Sequence, residues 1–169
     1  FRSRHYAHGG AYSGASENGT CATLHTMAVN GYGTASPDTR LELNFYTGRV
    51  EVDGKYVTLD DGTPLQYMPL AVEQNLTASK YIETAGARMK KYEVDRTAYS
   101  DGRMPDNDIV LYRYADVLLM KAEAKVRNGE SGDEQLNAVR SRAGMPSLAA
   151  TLANILDERL LELVWEGWR

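Results

Sequence analysis

A single cysteine, Cys21, stands in 169 residues, so the chain holds no internal disulfide. No signal peptide precedes it, so it is not a lipid-bearing cysteine and reads as a small buried residue. No apolar run approaches the length of a membrane span. Lysine and arginine form no basic stripe, and the net charge is -4, which argues against a nucleic-acid partner. The signatures of several enzyme classes are missing: no G-x-S-x-G elbow, no P-loop, no H-E-x-x-H and no dinucleotide fingerprint. There is no internal repeat and no low-complexity segment. Phenylalanine is scarce (2) where tyrosine is abundant (11), and a ring with a hydroxyl suits half-exposed polar surfaces. What is present is 43% apolar residues, enough to bury a core and to exclude disorder.

Sustained helical periodicity is confined to the last third. Leu111, Ala115, Leu118, Ala122 and Val126 recur at three- and four-residue steps, which predicts one apolar helix stripe. Arg113, Asp116, Glu123 and Arg127 fall opposite, with Glu123 and Arg127 spaced for a helical ion pair. Asn128-Gly129 ends this helix. A second begins at Ser131 or Asp133, buries Leu136, Val139 and Ala143, and stops at Gly144 and Pro146. The pair forms an αα-hairpin. A third starts near Ser147 or Thr151 and runs through Leu160 and Val164 towards Gly167. The expected organisation is a loop-rich region over 1–108 and a helical scaffold over 109–169, mainly α with a small β-hairpin.

Within 1–108, Gly, Ser, Thr, Asn and Tyr dominate the first 38 residues, with one short helix expected inside 21–29. Leu41, Leu43 and Phe45 alternate with polar residues, the period of a half-buried strand. Arg49–Val52 and Lys55–Thr58 flank Asp53-Gly54, a two-residue hairpin signal. Asp60-Asp61-Gly62 marks a further turn, without the ligand spacing of a calcium loop. Residues 63–108 read as extended, irregular chain.

Three constellations invite a chemical reading. Glu158, Glu162 and Glu166 are four apart, which places a carboxylate row on one helix face. Such a row needs cations, and Arg140 and Arg142 on the preceding helix are the expected partners, with Arg159 and Arg169 nearer by. A lattice of ion pairs fits better than a glycosidase acid and base, since those flank a cleft. His5 and His8 lack a convergent third ligand, so no metal site is expected. Tyr6, Tyr12 and Tyr32 lie among Asn18, Asn30, Arg2 and Arg4 in the early loops, where flat rings beside hydrogen-bonding groups suit a sugar. Tyr6, Tyr12, Tyr32 and Asn30 are the candidate ligand contacts. Trp165 and Trp168, three apart, could stack on a sugar from a helix, but their place among Leu160, Leu163 and Val164 favours packing for at least Trp165.

The helical third also carries a resemblance. Arg113-Tyr114-Ala115-Asp116 through Ala124, Leu136 through Gly144, and Glu158 through Arg169 resemble three successive motifs of the SusD/RagB family. Asp38-Thr39-Arg40 resembles the family's "D-x-R", and Arg88 through Glu93 its "KY" strand. The resemblance implies a helical scaffold with tetratricopeptide-like hairpins and long ligand loops, without catalysis and without a cofactor. It implies capture of an oligosaccharide or another nutrient at the extracellular face of the outer membrane, and delivery to a SusC-type TonB-dependent transporter. It further implies a C-terminal internal portion of a longer protein, attached to the membrane only through an N-terminal lipid anchor missing here. The rival reading is a tetratricopeptide-like scaffold that binds a peptide; a glycosidase is the third.

Overall fold

The computed structural model describes residues 20–73, 75, 77–92 and 108–167. Among these residues five helices and four two-residue strands form in the order α1 (Leu24–Val29), α2 (Leu41–Asn44), β1 (Phe45–Tyr46), β2 (Glu51–Val52), β3 (Lys55–Tyr56), β4 (Arg88–Met89), α3 (Tyr114–Arg127), α4 (Asp133–Arg142) and α5 (Leu152–Leu163). Two compact units divide the chain. One comprises Phe1–Met27 with Glu42–Asp108, the other Ala28–Leu41 with Ile109–Arg169. The second unit therefore includes 28–41, a segment grouped on the sequence with the loop-rich region.

The first unit is built from short antiparallel pairings. β1 pairs with β4, Phe45 opposite Met89, and β2 with β3, Glu51 opposite Tyr56. Asp53 (φ 51) and Gly54 (φ 75) both take the left-handed backbone that a two-residue hairpin requires. Val50, Leu65 and Tyr67 are almost wholly buried, with Tyr46 and Val57 beside them. Gly86 (φ +70) is obligatory twice over: its backbone is left-handed, and a Cβ there would sit 2.5 Å from the Cβ of Cys21. Cys21 itself is half-buried.

The alternating run at Leu41–Phe45 is not a strand throughout. Leu41–Asn44 is a helical turn, only Phe45–Tyr46 is extended, and Leu43 is exposed. Leu41 and Asn44 are instead the buried pair, the three-residue step of a helix, and Leu41 N–H donates to the carbonyl of Asp38.

The second unit packs α3 and α4 as an antiparallel hairpin against α5. Its core is Leu119, Ala122, Leu136, Val139 and Ile155, with Ala115, Leu118 and Val126 partly buried around it. Ala115, Leu118, Ala122 and Val126 of the expected stripe face this core, joined by Leu119, while Leu111 precedes α3 and is exposed. Asp116, expected on the solvent side, is buried and pairs with Arg159 at 2.7 Å. Close approach of α3 and α4 depends on Gly132, where a Cβ would meet the Ala122 carbonyl oxygen at 2.7 Å. Gly132, rather than Ser131 or Asp133, is the N-cap of α4. The Asp133 carboxylate accepts from the Ala150 N–H, and the Ser131 hydroxyl from the Asp133 N–H.

Thr151 caps α5 by accepting from the Asn154 N–H at 3.1 Å. α5 ends at Leu163, short of Gly167. Val164 is extended and Trp165 left-handed (φ 68), so the chain leaves the helix there. Glu166 consequently lies beyond the helix rather than on its face, and Trp165 is half-buried in the turn; Trp168 and Arg169 lie outside the described residues.

Candidate functional site

Arg40 occupies the middle of the second unit. It is buried, and its guanidinium donates in four directions: Nε and Nη2 to the two carboxylate oxygens of Asp38, both at 2.8 Å, and Nη1 to Glu158 at 2.7 Å and Glu162 at 2.8 Å. The planar fork of arginine permits this bidentate grip on Asp38. Asp38 Oδ1 also accepts the Arg40 N–H, which closes the D-x-R turn.

From there the lattice spreads. Arg140 Nη1 donates to the second oxygen of Glu158 at 2.7 Å, and its Nε to the Pro146 carbonyl. Arg142 reaches Glu162 at 2.5 Å. Arg113 bonds Glu162, and its Nε donates to Glu166 at 2.7 Å. Arg113 Nη2 also donates to the Glu162 backbone carbonyl at 2.5 Å, a cation on the last turn of α5. Asp38, Glu158, Glu162 and Glu166 are thus matched by Arg40, Arg113, Arg140 and Arg142, four charges against four. Buried ions are tolerable only when paired and hydrogen-bonded, and this balance supplies both conditions.

Titration behaviour follows. Burial pushes the Asp38 carboxyl up, but its bonds to Arg40 outweigh that and hold it below the usual aspartate range. Glu162 is likewise raised by burial and lowered further by Arg113 and Arg40, ending below its ordinary value. Burial disfavours the charged Arg40 and Arg113, yet their carboxylates raise both above the ordinary arginine value. A general acid at neutral pH needs a carboxyl held high. Glu162 is moved the other way, which suits an ionic tie and not acid catalysis.

The lattice anchors a loop. Residues 30–38 leave and return at one point, where the Asp38 N–H donates to the Asn30 carbonyl at 2.9 Å. Gly31 (φ +69) makes the first turn, and the Thr34 hydroxyl donates to its carbonyl at 2.7 Å. The Thr39 hydroxyl donates to the Ala143 carbonyl at the end of α4. Beside this loop lies a pocket of about 250 Å³. Val29, Asn30, Gly31, Ser36 and Asp38 form the loop side. Arg140, Met145 and Leu148 come from α4 and the connector after it, and Asn154, Asp157, Glu158 and Leu161 from α5.

Of the candidate ligand residues, Asn30 is fully buried and lines this pocket, and Tyr32 is half-buried two residues on. Tyr6 and Tyr12 lie outside the described residues, as do His5, His8 and Asn18. Glu158 and Glu162 meet Arg140 and Arg142 directly. Arg40 and Arg113 were missing from the expected partners. Their signal lay in the motifs, since Arg40 closes the Asp38-x-Arg40 turn and Arg113 opens the first helical motif, while Arg159, counted towards the row, pairs with Asp116. No group of three His, Cys, Asp or Glu residues suited to a metal ion occurs among the described residues.

A helical-hairpin scaffold carrying a loop on a buried ionic anchor is the class of protein that this geometry defines. The model of the SusD family matches residues 5–169, and the chain belongs to the SusD/RagB family. It is 32% identical over 84 residues to the starch-binding protein SusD of Bacteroides thetaiotaomicron, covering 48% of this chain and 15% of that protein. A SusD-like protein of Formosa agariphila is 36% identical over 80 residues, covering 38% of this chain and 16% of that protein. Among solved structures, surface glycan-binding protein A from Bacteroides uniformis superposes with a TM-score of 0.57 at 25% identity, over 88% of this chain and 28% of that one. The chain therefore spans about a sixth of the curated relatives' length and under a third of the solved one's.

Proposed function

We propose that the protein binds an oligosaccharide or another nutrient without transforming it. Two relatives named for starch binding and surface glycan binding support this. The observation on this chain that carries it is the state of the carboxylate row: Glu158 and Glu162 are sequestered in ion pairs, so neither is poised to give or take a proton at a glycosidic bond. Ligand contacts reside in the loops before Thr39, with Tyr6, Tyr12 and Tyr32 as stacking rings and Asn30 as a hydrogen-bonding group. The 1–108 region supplies the loops and 109–169 the scaffold, with 28–41 seated on it. In the cell the protein sits at the extracellular face of the outer membrane, held by an N-terminal lipid anchor, and passes its ligand to a SusC-type TonB-dependent transporter. It needs no cofactor and takes no part in nucleic-acid binding.

A peptide-binding scaffold is the second reading, favoured by the exposed Tyr114, Val117 and Met120 on α3. A panel of soluble polysaccharides separates the readings, with retention in affinity gels and reducing-end release measured together. Retention without new reducing ends is expected. Release of reducing ends would overturn the non-catalytic reading, and peptide capture without glycan retention would favour the second.

A further inference from the structure

The pocket beside Asn30 has a chemistry that restricts its occupant. Its charged walls are already spent. Both oxygens of Asp38 accept from Arg40, those of Glu158 accept from Arg40 and Arg140, and Arg140 gives its Nε–H to Pro146. No arginine is left over for an anion. For a cation only Asp157 remains, an exposed carboxylate without a partner among the described residues, and a lone exposed ion pair contributes little. A purely apolar ligand would strand the polar wall.

What remains open is a set of hydrogen-bonding groups. Among the described residues the Asp157 carboxylate, the Oδ1 of Asn154 and the Ser36 hydroxyl form no hydrogen bond, and Asn154 gives its Nδ2–H to the Ala149 carbonyl. Val29, Met145, Leu148 and Leu161 line the same pocket. Hydrogen-bonding groups set among aliphatic side chains match the hydroxyls and the C–H groups that a pyranose ring presents. At about 250 Å³ the pocket falls below the ~300–1,000 Å³ of sites that engulf a drug-sized ligand, so it suits one ring and not a chain.

We infer that this pocket is a subsite for a single uncharged, polyhydroxylated ring, with Asp157 and Asn154 accepting from adjacent hydroxyls and Leu148 and Met145 against the ring's carbons. This rests on the nutrient-binding reading and adds a contact site in the helical unit, apart from the tyrosine-bearing loops.

The test is NMR titration of the full 169-residue chain with glucose, galactose, mannose and xylose, and separately with glucosamine and inorganic phosphate. Shifts at Asn30, Asn154 and Asp157 with at least one neutral sugar are expected. They should weaken tenfold or more in Asp157→Ala and in Leu148→Trp, which fills the pocket, and persist in Lys121→Ala on α3. Both pocket variants lie at exposed positions, and thermal melts confirm their folding. Absence of shifts, sugar-induced shifts unchanged in Asp157→Ala, or preference for phosphate or glucosamine overturns the assignment. Retention of polysaccharides by a protein whose pocket stays silent overturns the subsite alone, whereas loss of both overturns the reading beneath it.

Discussion

Glu162 shows how a single side chain ties the helical unit together. Its carboxylate takes Arg40, Arg113 and Arg142 at once, and it is almost wholly buried. Glu162→Gln leaves those guanidiniums facing a neutral amide. Breaking a buried pair from one side costs about 3–5 kcal/mol, so the urea midpoint should fall accordingly while the helix content at low urea persists. An unchanged midpoint would mean that water, and not Glu162, satisfies the arginines. The pH dependence has a definite sign. Asp38 and Glu162 have folded pKa values below their unfolded ones, so their stabilisation is fully present above the unfolded values and lost as pH falls through the folded ones. With unfolded values of about 3.9 and about 4.3, the midpoint should stay flat from pH 7 to 5 and drop below about pH 4. Arg40→Gln should lower the neutral-pH midpoint and flatten that acid limb.

The helical elements were legible because periodicity and end signals agreed. The hairpin of α3 and α4, its Asn128-Gly129 turn and the Thr151 start of α5 all follow from local rules. Thr151→Ala should cost about 1 kcal/mol, the ordinary loss of a cap, read as a shift in thermal midpoint. Gly132→Ala should cost about 1–3 kcal/mol by forcing α4 away from the Ala122 carbonyl. If it instead stabilised the protein, that close approach would be wrong. Other features were not legible because tertiary partners decide them. Asp116 reads as a solvent-facing acid until Arg159 is known to face it. Leu41–Asn44 reads as a strand until the Asp38-x-Arg40 turn sets its direction. The third helix overshoots to Gly167 on apolar pattern alone, and only the backbone at Val164 and Trp165 shows the break.

At the scale of the whole molecule, the family was legible because its motifs fall on groups that the fold cannot spare: Arg40, Arg113, Arg140, Glu158 and Glu162 lie in one lattice. The ligand site was not legible in the same way. Exposed loop residues answer to a ligand and not to the core, so no packing rule constrains them. Asn30 illustrates the difficulty, since a residue chosen for its polar side chain proves to be fully buried beside a pocket. Nutrient binding is proposed to belong to the loops before Thr39. Calorimetric titration with whichever glycan the affinity gels retain tests it most directly, comparing the parent with Tyr6→Ala, Tyr12→Ala and Tyr32→Ala and with Lys121→Ala as a helix-surface control. Stacking of a sugar on a tyrosine ring should give parent affinity on the order of micromolar to millimolar. At least one tyrosine variant is predicted to bind tenfold more weakly while the control binds as the parent does; parent-like affinity in all three would contradict the claim.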